Sequence, residues 1–234
     1  MKKKVLILFV ISLFLFTITA CNSKKKEANY GKEFKEDYEE INGQENKNGK
    51  VHRTITLSEY NKFIETTPEE IVKKIESGDS FYVYFGSRLC PWCRSVIEKA
   101  DEVSRLNDIE KIYYIDIWDD EGNEIFRDKY ELDENNNPIK TVEGTKEYYT
   151  LLDVFKDYLR DYTLTDADKN TINVGEKRIY APNFVYISKG KAKRLVSGKS
   201  ELQKNSREDL TEEMLNDEEK VFNEFFVNVC DESC

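Results

Sequence analysis

Histidine is nearly absent from this 234-residue chain, His52 being the only one. A lone imidazole argues against His-based metal sites and against Ser–His or Cys–His nucleophilic machinery, and its default place is the surface. Positive charge is also in short supply, with 36 Lys and Arg against 46 Asp and Glu for a formal net charge of −10. Such a surface repels phosphates, so no nucleic-acid partner is expected. Proline is scarce too, at 4 residues, while 39% of the chain is hydrophobic and 35% charged, a balance that suits a folded core carrying polar extensions. The 5 cysteines are an odd number and fall into three groups: Cys21 alone, Cys90 with Cys93, and Cys230 with Cys234.

Lys2, Lys3 and Lys4 precede an apolar run over residues 5–19, the charged and hydrophobic regions of a secretory signal. The run falls short of the about 20 residues that a membrane span needs. It closes in Ile18-Thr19-Ala20-Cys21, which resembles the bacterial lipobox. That resemblance implies a signal peptide over 1–20 and a lipidated Cys21 as the first mature residue. The protein would then be anchored by lipid to the extracytoplasmic face of a bacterial cell membrane, where disulfide chemistry is possible. Residues 21–52 are polar and read as a tether, because too few apolar groups are present to offset the entropy of ordering them. Weak helical spacing over 30–41 leaves an extra helix as the alternative. Residues 53–234 make up the folded domain.

The pattern sharpens after Thr66. Thr67 can cap a helix with Pro68 in its first turn and Gly78 as its stop. Residues 80–85 (Ser-Phe-Tyr-Val-Tyr-Phe) are a continuous β-branched and aromatic run, expected to be a strand buried on both faces. Gly86-Ser87-Arg88-Leu89-Cys90-Pro91-Trp92-Cys93 follows at once, and Cys93, Val96, Ile97, Ala100 and Val103 then form one apolar helical stripe. Cys90 therefore falls at a helix start, Pro91 in the first turn where its missing N–H costs nothing, and Cys93 on the buried side. A helix N-terminus can bring a cysteine pKa from about 8.5 to about 7 or below. Arg88 could add positive charge nearby. Cys90 is thus the candidate nucleophile and Cys93 the thiol that resolves a mixed disulfide.

A strand ending in Phe-Gly-Ser with Cys-Pro-Trp-Cys opening a helix resembles the active site of the thioredoxin superfamily. Residues 111–117 resemble the family's next parallel strand. Ala181-Pro182 with 183–187, the turn 188–191 and residues 192–196 resemble its cis-proline, strand, turn and strand, and 209–229 its closing helix. Residues 81–93 and 182–191 look most like the thioredoxin-like bacteriocin transport accessory proteins of Gram-positive bacteria. The resemblance implies an α/β thioredoxin fold, a central mixed sheet flanked by helices, with an insertion (about 118–145) before the cis-proline strand. It also implies thiol–disulfide exchange on exported protein or peptide substrates, without a cofactor or metal. A membrane electron-transfer partner or a small-thiol pool would close the cycle. Trp92, Ala181 and Pro182 would form the substrate-binding surface, with Tyr180 beside them. Tyr84 stands where the family carries a buried acid, which leaves that carboxylate's proton-handling role without an owner. Residues 145–162 carry helical spacing and are expected to be the crossover helix, preceded by a polar insert that reads as a solvated loop or a lid.

Cys230 and Cys234 can close a small terminal disulfide or act as a second redox pair, and with Cys90 and Cys93 they could form a zinc site, although their spacing is wider than usual. A second functional class is open as well: a binding or accessory module for peptide secretion whose cysteines do not turn over. Accessibility of Cys90 separates the two classes.

Overall fold

A computed structural model describes residues 30–227. The expected signal peptide, Cys21, Cys230 and Cys234 lie outside the described residues. The elements run α1 (Tyr30–Glu40), β1 (Phe63–Glu65), α2 (Pro68–Glu76), β2 (Phe81–Gly86), α3 (Pro91–Leu106), β3 (Ile112–Asp116), β4 (Lys129–Leu132), β5 (Pro138–Val142), α4 (Lys146–Phe155), β6 (Arg160–Thr165), β7 (Thr171–Arg178), β8 (Asn183–Ser188), β9 (Lys191–Val196) and α5 (Glu212–Phe226). Five strands form one mixed sheet in the order β1-β3-β2-β8-β9. β1 and β2 run parallel to β3, whereas β8 runs antiparallel to both β2 and β9. The architecture is α/β, a mixed sheet flanked by helices.

β2 is central because its alternate residues serve two cores. Tyr84 points into a core with Phe34 and Tyr38 of α1, the apolar stripe of α3, and Phe222, Phe225 and Phe226 of α5. Val83 and Phe85 point the other way, onto Ile71 of α2 and Tyr148, Leu151 and Phe155 of α4. A strand's side chains alternate faces, so a strand covered on both sides needs the continuous apolar run that marks this segment. Thr67 caps α2 by accepting from the Glu70 N–H, with Pro68 in the first turn, as its sequence indicates.

Four expectations are corrected. The segment taken as a tether over 21–52 carries α1 from Tyr30 onward, and Tyr38 is 0% exposed. Phe34, Tyr38 and Ile41 form a short i, i+4, i+7 stripe whose signal is diluted by acidic neighbours; Phe34 stacks on Phe63 with ring centroids 4.6 Å apart. His52 is buried rather than on the surface. The helix expected over 145–162 ends at Phe155, where the Tyr158 and Leu159 N–H groups turn back to the Phe155 carbonyl, and β6 begins at Arg160. The insert before the cis-proline strand is longer and more ordered than a solvated loop. It holds a β4–β5 hairpin, whose polar turn is closed by Asp133 accepting from the Asn135 and Asn137 N–H groups at 2.8 Å, and α4 is followed by a second hairpin, β6–β7. No helix among the described residues is long and apolar enough to cross a membrane.

Candidate active site

Cys90 is the N-cap of α3, with extended backbone (φ −78°, ψ 118°), and Pro91 occupies the first turn. The Cys93 N–H donates to Cys90 Sγ at 3.4 Å. This is the capping role that a side-chain oxygen usually fills, with a sulfur in its place. The Cys90 thiol also reaches the Ala181 carbonyl at 3.7 Å, and the Ala181–Pro182 bond is cis, as anticipated. α3 and the segment leading into β8 therefore bring Cys90, Ala181 and Pro182 together, although they are separated by about ninety positions in the chain. Trp92 is half-buried beside them, with Lys199 Nζ 4.6 Å from its ring centroid, and Tyr180 packs edge-on toward Tyr162. Both sulfurs are free thiols; Cys90 is 4% exposed and Cys93 fully buried.

The two thiols are driven apart electrostatically. The Cys90 thiol sits below its usual range because the Cys93 thiol hydrogen-bonds to its sulfur, outweighing burial, with help from the Cys93 and Trp92 N–H groups and the Arg127 cation. The Cys93 thiol is pushed well above its usual range by burial and by its bond to Cys90, while a hydrogen bond with Tyr84 opposes this. A low-pKa outer sulfur beside a high-pKa inner one is the division of labour that stepwise disulfide exchange requires.

Arg88 does not act as the sequence suggests. Its guanidinium is engaged by Asp37 at 3.4 Å, Asp120 at 2.8 Å and Glu40, so it clasps α1 to the loop after β3. The cation that bears on Cys90 is Arg127, which precedes Pro182 by 55 residues in the chain and is carried to the site by the insert. Buried, it donates to the Ile179 carbonyl at 3.0 Å and to Glu124 at 2.9 Å. Glu124 also accepts from Arg178 at 2.9 Å, so a buried Arg–Glu–Arg group ties residues 124–127 to the end of β7 and to Ile179, just before Ala181. No local motif marks Arg127; its role depends on the insert folding back.

Arg94 lies outside the apolar stripe of α3 and yet is 0% exposed. It donates to the carbonyls of Tyr38 (2.7 Å), Arg53 (2.6 and 2.9 Å) and Arg88 (3.3 Å), and to Asn42 Oδ1. One cation thus joins α1, residues 42–53 and the turn that carries Cys90. Tyr84 lies flat along β2 with its hydroxyl 3.0 Å from that of Tyr38. A Cβ on Gly86 would meet the Tyr84 Cζ and hydroxyl at 2.2 Å, so glycine is needed there. Among the described residues no group of three or more His, Cys, Asp or Glu side chains is placed to hold a metal ion. No protein-family model matches the chain, and no curated protein matches it.

Proposed function

We propose that this protein is a thiol–disulfide oxidoreductase of thioredoxin fold that acts on exported protein or peptide substrates and is held at the extracytoplasmic face of a bacterial membrane by lipid on Cys21. The observation that carries the reading is Cys90 at the N-cap of α3, bonded to the Cys93 N–H and facing the Ala181 carbonyl beside a cis proline. The strand order β1-β3-β2-β8-β9, with the CxxC turn between β2 and α3, supports the thioredoxin assignment.

In the reducing direction, the Cys90 thiolate attacks one sulfur of a substrate disulfide and releases the other as a thiolate. Cys93 then loses its proton and attacks Cys90 Sγ, which breaks the mixed disulfide and frees the second substrate sulfur. The substrate gains two electrons, and the protein gains the Cys90–Cys93 disulfide. The opposite direction runs the same steps backward. The Ala181 backbone beside Cys90 and the half-buried Trp92 ring provide the surface for a substrate chain.

The test is trapping. With Cys93→Ser and with Cys21, Cys230 and Cys234 also replaced by serine, the protein should hold a disulfide-bearing peptide as a stable mixed disulfide on Cys90. The 4% exposure of Cys90 favours a second reading, a docking module for peptide secretion that does not turn over. Peptide binding without any covalent capture would select that reading and remove the first.

A further inference from the structure

Cys93 presents a problem that the exchange reaction must solve. To attack the mixed disulfide it must lose a proton, yet it is fully buried. In the reduced protein its thiol can lean on the Cys90 sulfur. Once Cys90 is bonded to substrate, that sulfur is the electrophile and can no longer receive the proton. No carboxylate stands beneath Cys93, because Tyr84 occupies the β2 position that faces it.

Four elements converge at this point. Tyr84 of β2 packs in the same core as Cys93, whose ionisation it favours, and its hydroxyl lies 3.0 Å from that of Tyr38 of α1. Tyr38 meets Tyr114 of β3 edge-on, with ring centroids 5.8 Å apart, and the two phenols shift each other's ionisation. The Tyr114 hydroxyl donates to Asp116 Oδ2 at 2.7 Å. All three phenols are buried, and their rings lock one another, with Tyr84 stacked on Tyr114 at 5.4 Å. Asp116 is half-buried at the end of the row, and Tyr114 and Asp37 line a cavity of about 460 Å³.

We propose that Tyr84, Tyr38 and Tyr114 form a single-file hydroxyl relay that carries the Cys93 proton to the Asp116 carboxylate as Cys93 becomes the resolving nucleophile. This rests on the redox reading above. An ionised carboxylate only accepts hydrogen bonds, so Tyr114 must donate to Asp116. In the relay the Tyr114 oxygen then accepts from Tyr38, the Tyr38 oxygen from Tyr84, and the Tyr84 oxygen from the Cys93 thiol. Every donor then points toward Asp116. As the Cys93 S–H bond breaks, each phenol gains one proton and gives up one, Asp116 takes the last, and Cys93 is left as a thiolate. No phenol is ionised along the way, so the high phenol pKa values that burial imposes do not block the transfer. In the reverse direction the row of hydroxyls turns over and returns the proton to Cys93.

The surroundings of Asp116 suit a proton acceptor. Its carboxyl is held above the usual range by burial, against hydrogen bonds from the Trp118 N–H, Tyr114 and the Ser87 hydroxyl, and Glu65 adds a like charge from β1. Asp37 on α1 is another acid in this group, itself raised to about 6 by burial and opposed by Arg88.

The experiment uses the full chain with Cys21, Cys230 and Cys234 replaced by serine. Reduced protein is mixed with glutathione disulfide, quenched with acid at intervals, and weighed by mass spectrometry to separate mixed-disulfide formation from closure of the Cys90–Cys93 bond. Tyr38→Phe keeps the ring and removes the middle oxygen. It should leave formation at the parent rate and slow closure by about tenfold or more, within the range that positioned proton transfer supplies. Asp116→Asn should slow closure similarly and flatten its dependence on pH above the usual carboxylate range, which Asp116 and Asp37 shape in the parent. Closure at the parent rate in both variants overturns the relay. Equal slowing of formation and closure in Tyr38→Phe overturns it as well, by assigning the residue to packing. A parent protein that never forms the mixed disulfide refutes the redox reading itself, a result visible before any variant is made.

Discussion

Gly86→Ala isolates the close fit beneath the cysteines. The added methyl would lie 2.2 Å from both the Tyr84 Cζ and hydroxyl and 2.7 Å from Cε1, far inside van der Waals contact. The ring has little room to yield, because it is stacked on Phe184 at 4.4 Å and on Tyr114 at 5.4 Å, with Phe63 edge-on at 5.7 Å. Forcing a methyl into a packed core costs about 1–3 kcal/mol. Displacing the Tyr84 hydroxyl also breaks its bond to the buried Tyr38 hydroxyl, at about 1–2 kcal/mol more. The expected loss is therefore about 2–5 kcal/mol, read from urea unfolding followed by circular dichroism. Tyr84→Leu empties the space the methyl needs, so the two substitutions together should cost less than the sum of their separate effects. A loss below about 1 kcal/mol for Gly86→Ala, or strict additivity with Tyr84→Leu, would refute the argument.

Arg94→Met should destabilise the domain by about 3–5 kcal/mol in the same assay, since it leaves several buried carbonyls without their shared donor; a neutral result would mean that α1 is not held by this cation. Arg127→Gln should slow alkylation of Cys90 at pH 7 by up to about tenfold, because loss of the cation raises the thiol pKa, whereas Arg88→Gln should have little effect because its charge is already spent on three acids. Glu218 is fully buried, its carboxylate oxygens lack hydrogen-bond partners among the described residues, and burial raises its pKa from 4.5 to about 8. The folded state therefore holds this proton more tightly than the unfolded chain, and stability should fall as pH rises from about 4.5 through about 8, by on the order of a few kcal/mol. Glu218→Gln should remove that slope; an unchanged slope in the melting-temperature profile would contradict the assignment.

What the sequence reveals follows how local each signal is. β2, the CxxC turn and α3 are contiguous, and their apolar runs, cap and proline each point to the same structure within residues 81–106. Cys90 at the N-cap and Cys93 inside were legible for that reason, whereas the cis bond at Pro182 was expected only from the resemblance to the thioredoxin superfamily. α1 was harder to see because its apolar stripe is only Phe34, Tyr38 and Ile41 in an acidic setting, and such a stripe gains meaning only when β1 and β3 supply the matching surface. Arg94 reads as a polar helix residue until the N-terminal segment folds over it and offers carbonyls. Arg127 and Arg178 sit more than fifty positions apart and become partners through Glu124 only once two hairpins form. The hairpin β6–β7 was masked because the helical spacing of 145–162 continues past Phe155 by coincidence, with Leu159 and Tyr162 buried from a turn and a strand instead. Tyr84 was recognised as a departure from the pattern the chain resembles, but its neighbours Tyr38 and Tyr114 come from α1 and β3, and no spacing in the chain connects them.

The central claim is that Cys90 and Cys93 exchange disulfides, and the most direct test is their equilibrium with glutathione. Full-length protein with Cys21, Cys230 and Cys234 replaced by serine would be equilibrated across reduced-to-oxidised ratios, and the fraction of Cys90–Cys93 disulfide measured by alkylation and mass. The account predicts a single reversible two-electron transition, within the span of about −270 to −120 mV that oxidoreductases of this chemistry occupy. A pair that stays fully reduced or fully oxidised at every ratio would contradict it.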